Sequence, residues 1–209
     1  MILPNPHFAA ILLAAGASAR MGRPKPLLPF RGETILDNQI ALHCAFSAQV
    51  FVVLGHHANE IAAGAKRTEN AVLLLNPEPE RGQLSSLQCG LRALPAYIEA
   101  VLIQPVDSPG VAPATLLAMC KVWDNAAATP PDFVIPAHEG RRGHPVLMRA
   151  AIVTELLALP EGATARDVVH AHRERTLFVE TGDPAIHRDI DTPEDYEQLI
   201  AELRAGVRP

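Results

Sequence analysis

Runs of apolar residues alternate with amphipathic segments along the first half of the chain. Residues 8–14 are continuously apolar and precede a loop of small residues, a pattern typical of a strand buried on both faces of a sheet. Such a strand is expected at the centre of the sheet. The predicted strands are residues 8–14, 50–54, 71–75 and 100–103, and the predicted helices are residues 34–46, 59–67 and 84–94.

Strands and helices that alternate in this way pair as parallel strands joined by right-handed crossovers, with helices on both sheet faces. The pattern therefore predicts an α/β fold with a doubly wound, mostly parallel sheet. The second half is less regular. It predicts a helix at 113–122, a strand at 133–136, a short apolar segment at 146–148, a last strand at 175–180 and a closing helix at 193–204.

Composition and charge narrow the class of protein. The 19 prolines are spread among the loops, so we expect residues 1–209 to form a single domain. Lys and Arg number 18 against 23 Asp and Glu, and a net charge of −5 argues against nucleic acid as a partner. No stretch of 18 apolar residues would cross a membrane, and no Lys or Arg precedes the first apolar run as in a signal peptide.

Three cysteines at wide spacing lie within apolar segments, at positions 44, 89 and 120. An odd number with this spacing is typical of buried thiols in a reducing compartment. We therefore expect a cytoplasmic protein.

The loop after the first predicted strand carries the clearest chemical signal. In open α/β sheets the ligand crevice lies outside the carboxyl ends of the strands, which is where this loop falls. Small residues at 14–17 let backbone amides approach an anion, while Ser18, Arg20 and Lys25 add a hydroxyl and two positive charges. This combination suits a polyphosphate. The loop matches neither a P-loop nor a dinucleotide fingerprint, and a tight turn with surface basic residues is the alternative.

Asp107 follows the predicted strand 100–103 and should lie at the same sheet edge. A carboxylate facing a triphosphate needs a divalent cation between them, and Mg²⁺ prefers one or two carboxylates plus phosphate oxygens and water. We therefore predict that Asp107 is a metal ligand. A helix N-cap or an Asx turn is the structural alternative for this residue.

Residues 13–25 read Leu-Ala-Ala-Gly-Ala-Ser-Ala-Arg-Met-Gly-Arg-Pro-Lys. This segment resembles the signature of the nucleotidyltransferase family that attaches a nucleotide to molybdopterin, and every fixed position of that signature is present. Further landmarks of the family follow in the expected order, so that the resemblance covers nearly the whole chain. They are Asn76 with Gly82 and Ser85-Ser86-Leu87, Asp107-Ser108-Pro109, Gly143-His144-Pro145, and residues 189–195.

The resemblance implies a Rossmann-like nucleotidyltransferase fold of the GT-A type. Ala14-Ala15-Gly16 together with Gly143-His144-Pro145 is similar to the cytidylyltransferase branch, whereas the guanylyltransferase branch usually has Gly where Ala15 stands. A methyl group at Ala15 would narrow the base pocket and favour a pyrimidine. The implied nucleotide-binding residues are Leu13, Ala14, Ala15, Gly16, Ser18, Arg20, Lys25, Asn76, Gly82, Ser85 and Ser86.

The implied reaction is in-line attack of a molybdopterin phosphate oxygen on the α-phosphorus of CTP, with release of pyrophosphate. Lys25, Arg20 and Asp107 would be its catalytic residues, with Lys25 neutralising the α-phosphate side and Arg20 the pyrophosphate side. The resemblance suggests Asp191 as the second metal ligand, since Asp195 fits the first turn of the closing helix. Alternatives are Gly82, Ser85 and Ser86 as an ordinary helix start, and Asn76 as a loop-shaping residue.

For the acceptor, His144 and Arg142 in the segment 137–145 are the predicted contacts, although adjacent arginines also suit a solvated loop. The resemblance also implies a xanthine oxidase type molybdoenzyme as a partner that receives the product. Other acceptors, such as a sugar or polyol phosphate, and GTP as the nucleotide remain open. The glycine fingerprint of a nicotinamide-dependent oxidoreductase is absent from this sequence, which argues against that class. A protein that binds nucleotide without catalysis would not need both Lys25 and Asp107.

Overall fold

The computed structural model describes residues 3–126 and 128–205. Its strands are β1 (Asn5–Ala14), β2 (Pro29–Phe30), β3 (Glu33–Thr34), β4 (Ser47–Leu54), β5 (Val72–Leu75), β6 (Ala100–Pro105), β7 (Phe133–His138), β8 (Arg141–Arg142), β9 (Val146–Arg149) and β10 (Thr176–Glu180). Its α-helices are α1 (Ile35–Cys44), α2 (Ala58–Gly64), α3 (Gln83–Arg92), α4 (Pro113–Asn125), α5 (Val153–Ala158), α6 (Ala165–Ala171) and α7 (Pro193–Arg204).

One eight-stranded sheet organises the fold, in the order β10-β7-β9-β6-β1-β4-β5 with β8 paired to β7. The pairs β1–β4, β1–β6, β4–β5 and β7–β10 are parallel, while β9 runs antiparallel between β6 and β7. The predicted α/β class with a mostly parallel sheet is therefore confirmed. Among the described strands of this sheet, β9, which contains the predicted segment 146–148, runs antiparallel to both of its neighbours. The two-residue strand β8 is also antiparallel, and pairs only with β7.

β1 is an interior strand with helices over both of its faces, as the unbroken apolar run predicts. The even-numbered residues from 8 to 14 join the core beneath α1, α4 and α7. The odd-numbered residues from 9 to 13 join a second core beneath α3, α5 and α6. Because successive side chains of a strand point to opposite faces, both sets must be apolar when both faces are covered. The continuous run in the sequence is the direct consequence.

The predicted strands and helices are all present, with ends that differ by a few residues. β4 begins at Ser47, three residues before the predicted start, and α2 ends at Gly64 instead of at residue 67. The hairpin of β2 and β3 and the helix α5 were not predicted, since each is too short to show a hydrophobic period.

The cysteines are free, but the prediction that they are buried was wrong. Cys44, Cys89 and Cys120 all have intermediate exposure and pack at the margins of the two cores. Within the described residues, no helix is long and apolar enough to cross a membrane.

A buried polar network lies under the segment that follows β6. His43 on α1 donates from Nε2 to Gln104 Oε1 at 2.7 Å, and Gln104 Nε2 donates to the carbonyl oxygen of Ser108 at 2.6 Å. Both side chains are fully buried. Burial lowers the pKa of His43 to about 4, so the ring is neutral in the folded protein at pH 7.

This pKa makes the free energy of unfolding depend on pH. An unfolded histidine titrates near 6.5, so the contribution of neutral His43 is complete above about pH 6.5 and is lost as the pH falls towards 4. The loss amounts to roughly 3 kcal/mol, from about 1.4 kcal/mol per pKa unit.

We expect the His43→Gln variant, which keeps a donor for Gln104, to lose less stability than the wild type between pH 7 and pH 4. Urea denaturation at both pH values measures the difference. Equal losses in the two proteins would show that His43 does not titrate in this way.

Candidate active site

The carboxyl ends of the six parallel strands meet at one edge of the sheet, and the predicted site residues lie in the loops that leave this edge. The loop 15–28 follows β1, the segment 106–112 follows β6, and residues 181–192 follow β10. Residues 139–145 connect β7 to β9 at the same edge. The crevice outside this edge is where open α/β sheets bind ligands.

Lys25 joins two of these loops to a third. Its Nζ atom lies 2.8 Å from Oδ1 of Asp191 and 3.7 Å from Oδ2 of Asp107. Arg20 contacts the other oxygen of Asp191 at 3.0 Å. The Lys25 side chain is only 13% exposed, whereas that of Arg20 is 67% exposed. The structure therefore brings Arg20, Lys25, Asp107 and Asp191 together from positions up to 171 residues apart.

The two carboxyl groups have opposite pKa shifts. Burial raises the pKa of Asp107, and the neighbouring charges of Asp189 and Asp191 raise it further against the opposing effect of Lys25. The hydrogen bond from Lys25 lowers the pKa of Asp191, and Arg20 acts in the same direction. The cationic neighbours of Asp191 therefore stabilise its anionic form, whereas burial and nearby carboxylates disfavour the anionic form of Asp107.

Two short bonds fix the segment of Asp107 against the segment of Asp191. The amide of Ile190 donates to the carbonyl oxygen of Asp107 at 2.9 Å, and the Ser108 hydroxyl donates to Asp189 Oδ1 at 3.1 Å. Ile190 itself is fully buried and anchors its loop in the core.

Asp195 serves the helix that follows. Its Oδ2 accepts hydrogen bonds from the amides of Asp191 and Thr192 and from the Thr192 hydroxyl, which completes a capping box at the start of α7. The Asp195 carboxylate therefore caps the start of α7, as its position in the sequence predicts.

The donor set of the cluster fits a divalent cation of the magnesium type. Asp107 and Asp191 converge on one position, which the Lys25 ammonium occupies, and hard carboxylate oxygens are the protein ligands that Mg²⁺ prefers. Between residues 3 and 205, apart from 127, no group of three or more His, Cys, Asp or Glu side chains has the arrangement of a metal cage. An ion held here would therefore take its remaining ligands from substrate and water.

The loop after β1 is shaped by its own turns. Ser18 has φ of 51°, its carbonyl accepts from Met21 N at 2.9 Å, and its hydroxyl accepts from Lys25 N at 3.1 Å. Met21 is buried and holds the loop on the core. Within the described part of the chain, none of the amide nitrogens of residues 16–20 donates a hydrogen bond to the protein. A row of unused amides beside Arg20 and Lys25 can bind an anion.

Ala15 packs against the turn that follows β4. A Cβ atom built on Gly55 would lie 2.9 Å from the Ala15 methyl carbon and 2.7 Å from Pro79 Cβ, so the two loops are in close contact. His56 N also donates to the Ala15 carbonyl at 3.2 Å. Leu13 and Ala14 are buried in the sheet, whereas Gly16 is exposed.

The side chains of Asn76, Ser85 and Ser86 face each other instead of the crevice. Asn76 Nδ2 donates to the Ser85 hydroxyl at 2.9 Å and to the Ser86 hydroxyl at 3.1 Å, and all three residues are buried. Ser85 in turn donates to the Gly82 carbonyl at 2.8 Å, and Gly82 has φ of 88°. These groups hold the loop before α3, as the loop-shaping alternative supposes, and their contacts with a nucleotide stay a prediction.

A large cavity of about 1030 Å³ opens beside the ionic cluster, on the sheet face covered by α3, α5 and α6. It reaches Pro105 and Asp189, which precede Asp107 and Asp191 by two residues. Its floor is apolar and its rim is basic. The lining side chains include Leu13, Leu84, Leu87, Ile103, Ile135, Val146, Met148, Leu156 and Val169, with Arg81, Arg141, Arg142, His144, Arg166, His170 and His187.

Both residues predicted for the acceptor line this cavity. Burial lowers the pKa of His144, and its Nδ1 atom has no hydrogen-bond partner among the described residues. The Arg142 guanidinium lies 4.1 Å from the centre of the Phe178 ring, a cation–π contact at the exposed edge strand β10. His144 therefore lines the cavity with its Nδ1 atom buried and unpaired, while Arg142 is an exposed cation at the rim that packs on Phe178.

Two basic residues that line the cavity were not predicted as site residues from the sequence. Arg166 and His170 lie four residues apart on α6 and so share one helix face towards the cavity. This spacing of four residues is the signal in the sequence that indicates a shared helix face. His172 follows the end of α6 and points away from the cavity to Asp132 and Glu155, at 2.7 Å from each.

Comparison with known proteins places this geometry in a family. A family model described as the MobA-like NTP transferase domain matches residues 10–176, about four fifths of the chain. The chain is 28% identical to the molybdenum cofactor cytidylyltransferase of Escherichia coli, over 89% of this chain and 92% of that protein. It is 29% identical to the molybdenum cofactor guanylyltransferase of Xanthomonas euvesicatoria, over 97% of this chain and 98% of that protein.

The relatives also include a protein with a different name. Nicotine blue oxidoreductase of Paenarthrobacter nicotinovorans is 29% identical over 93% of this chain and 97% of its own length. Among solved structures, Rv0371c of Mycobacterium tuberculosis in complex with manganese superimposes with a TM-score of 0.77 at 24% identity, over 93% of this chain and 98% of that chain. This likeness shows the shared fold.

The bend at Gly143 generates a prediction about stability. A Cβ atom at this position would lie 2.1 Å from the carbonyl oxygen of Ile186, a backbone atom that cannot move aside cheaply. We expect Gly143→Ala to lower the free energy of unfolding by at least about 2 kcal/mol, within the range seen for overpacked sites.

Gly182→Ala is the matched control, because nothing lies within 4 Å of its Cβ position. Chemical denaturation of the two variants measures the difference. An equal, small effect in both would mean that the chain does not approach itself closely at Gly143.

Proposed function

The chain belongs to the MobA-like NTP transferase family and is a nucleotidyltransferase, and within this family we propose that it transfers CMP from CTP to molybdopterin. The observation that carries the proposal is the placement of Lys25 between Asp107 and Asp191, beside the unused amides of residues 16–20. Cations and amides there suit the phosphates of a nucleotide, and the carboxylates suit the divalent ion that accompanies them.

In the proposed reaction, a terminal phosphate oxygen of the acceptor attacks the α-phosphorus of CTP. A new phosphorus–oxygen bond forms and the bond to pyrophosphate breaks, so no covalent enzyme intermediate is needed. The acceptor phosphate is already ionised and needs no general base. Catalysis therefore consists of positioning and of stabilising the charge that develops on the phosphates.

Lys25 and Arg20 supply positive charge for this step. Without substrate they are neutralised by Asp191, at 2.8 and 3.0 Å respectively. We infer that the nucleotide phosphates take over these contacts, with Lys25 on the α-phosphate and the more exposed Arg20 on the pyrophosphate side. Asp107 and Asp191 would then be free to hold Mg²⁺, which when bound neutralises charge on the phosphates.

The remaining predicted nucleotide contacts divide into two groups in this proposal. Leu13, Ala14, Ala15, Gly16 and Ser18 form the strand end and the loop along which the phosphates and ribose lie. The second group, Asn76, Gly82, Ser85 and Ser86, shapes the loop before α3 and presents its backbone to the base.

The cavity beside the ionic cluster supports an acceptor larger than a sugar or polyol phosphate. Its volume of about 1030 Å³ exceeds the need of a small polyol, and its apolar floor suits a planar fused ring system such as a pterin. Arg142 and His144 line this cavity and would contact the acceptor, the arginine by charge and the histidine through its ring. A phosphate could enter between this rim and Lys25.

A guanylyltransferase is the second candidate, because a relative aligned over 97% of this chain carries that activity in its name. A cytoplasmic location, and a xanthine oxidase type molybdoenzyme as the recipient of the product, complete the proposal. Its further partners are the small-molecule substrates alone.

Pyrophosphate release tests the proposal directly. We expect release with CTP, Mg²⁺ and molybdopterin, weaker release with GTP, and none when a sugar or polyol phosphate replaces molybdopterin. Chelation of divalent ions should abolish the reaction. Turnover that ignores the acceptor, or binding of CTP without any release, would refute the assigned activity.

The roles of the ionic cluster predict the behaviour of two variants in this assay. Lys25→Ala and Asp107→Asn should each lower turnover by about 10²- to 10³-fold with the fold intact, the usual effect of removing one preorganised charge. Arg92→Ala is a matched control, because Arg92 lies at the far end of α3, away from the sheet edge. Near-normal turnover of either cluster variant would remove the role assigned to that residue.

The base preference generates a separate prediction. Ala15 packs against Gly55, so Ala15→Gly opens space between the loop after β1 and the turn after β4. We expect the ratio of CTP to GTP turnover to fall by about tenfold, the scale of one methyl group in a pocket. Steady-state kinetics with both nucleotides measures the ratio, and an unchanged ratio would show that base selection lies elsewhere.

A further inference from the structure

We propose that the buried side chains of His43, Gln104 and Gln39 are positioning residues that fix Asp107 relative to Asp191 and so set the affinity of the site for a divalent cation. The inference rests on the proposed function, because it takes the two carboxylates as the metal ligands. None of the three side chains contacts the crevice. They act through the backbone of the segment that carries Asp107.

The carbonyl oxygens of residues 105–108 all lie within hydrogen-bond distance of buried donors, and the two N–H bonds of Gln39 are shared among three of these oxygens. Gln39 Nε2 lies 3.2 Å from the oxygen of Pro105, 3.4 Å from that of Val106 and 3.2 Å from that of Ser108. Gln104 Nε2 adds a second bond to Ser108 at 2.6 Å. The remaining oxygen, that of Asp107 itself, accepts from Ile190 N at 2.9 Å.

The last of these bonds ties the two metal ligands to each other. Ile190 is the residue directly before Asp191, so the peptide that holds Asp107 also leads into the second carboxylate. With the carbonyls on either side held by Gln39 and Gln104, the segment cannot shift without breaking several bonds. The distance between the two carboxylates is therefore set from inside the protein.

The Ser108 carbonyl can only accept a hydrogen bond, which fixes the orientation of the Gln104 amide and leaves its oxygen to face His43. His43 Nε2 donates to Gln104 Oε1 at 2.7 Å, and the Gln104 amino group faces Ser108. A reversed amide would place an amino group against the donor and an oxygen against the Ser108 carbonyl. The Gln104 amide is therefore held at both ends, by His43 at its oxygen and by the Ser108 carbonyl at its amino group, and it links α1 to the segment of Asp107.

The three residues lie where a stability role alone would favour apolar side chains. His43 and Gln104 are fully buried and Gln39 is 3% exposed. His43 Nδ1 and Gln39 Oε1 have no partner among the described residues, which costs stability. Polar groups that are buried at a cost directly beneath a metal-ligand segment are typical of the outer support that orients ligands.

Binding of Mn²⁺ alone, followed by the electron paramagnetic resonance signal of the free ion, tests the inference without turnover. Gln104→Met preserves the length of the side chain and removes both of its hydrogen bonds. We expect its dissociation constant for Mn²⁺ to rise at least tenfold. In the pyrophosphate assay, the half-saturating Mn²⁺ concentration should rise by the same factor, with kcat at saturating metal within threefold of the wild type.

Gln88→Met is the matched control. Gln88 is a buried glutamine on α3 whose Nε2 donates to the carbonyls of Leu156 and Leu159 at 3.0 and 3.2 Å, on the opposite face of the sheet from α1 and the His43 network. Its substitution removes the same kind of bonds. We expect a comparable loss of thermal stability and a change of less than twofold in Mn²⁺ affinity.

A pair of substitutions at His43 separates positioning from packing. His43→Gln keeps a donor for Gln104 and should retain Mn²⁺ affinity within threefold, whereas His43→Leu should lose it at least tenfold. If Gln104→Met does not fold, this pair, together with Gln39→Met, carries the test alone. Wild-type affinity in a folded Gln104→Met or His43→Leu protein overturns the inference.

Asp107→Asn distinguishes this failure from a failure of the proposed function. If the asparagine variant loses Mn²⁺ binding while Gln104→Met binds normally, the metal site stands and only the positioning role is wrong. If Asp107→Asn binds Mn²⁺ as tightly as the wild type, the metal site itself is wrong, and the inference falls with it.

Discussion

The contact of one ammonium group with two carboxylates holds the candidate active site together. Lys25 Nζ reaches Asp191 at 2.8 Å and Asp107 at 3.7 Å, and through them it joins the loop after the first strand to the segments after β6 and before α7. The two carboxylate segments are also joined by the hydrogen bond from Ile190 N to the Asp107 carbonyl, whereas the loop after β1 reaches Asp191 through Arg20 and Lys25. A lysine that is 13% exposed must keep an anionic partner, so the carboxylates cannot leave unless other anions replace them. Substrate phosphates are anions that could do so.

Buried polar side chains support the segments at this edge of the sheet in two places. Beneath the segment of Asp107, His43, Gln104 and Gln39 bind backbone carbonyls. Before α3, Asn76 binds two serine hydroxyls and so shapes the loop at Gly82. In both places these side chains are directed into the protein and hydrogen-bond to the segments that border the crevice.

The relatives differ in the nucleotide that their names specify. A cytidylyltransferase and a guanylyltransferase are 28% and 29% identical to the chain over nearly its whole length. Phosphates and divalent ions are common to all nucleotides, so the ionic cluster cannot select a base. In the proposed function, the loops around Ala15 and Gly82 therefore select the base, and the cavity lined by Arg142 and His144 selects the acceptor.

The sequence by itself determined the strands, most helices and the loop chemistry, because these follow from local periods and from side chains a few residues apart. The apolar run of β1 predicted its burial on both faces, and the signature at residues 13–25 located Arg20 and Lys25. The tertiary structure decided what depends on distant segments: the inverted direction of β9, the inward turn of Asn76 and the serines, and the cavity built from α3, α5 and α6. It also decided that Lys25 lies between Asp107 and Asp191. These residues are far apart in the chain, and they come within contact distance because the parallel strands end at the same edge of the sheet.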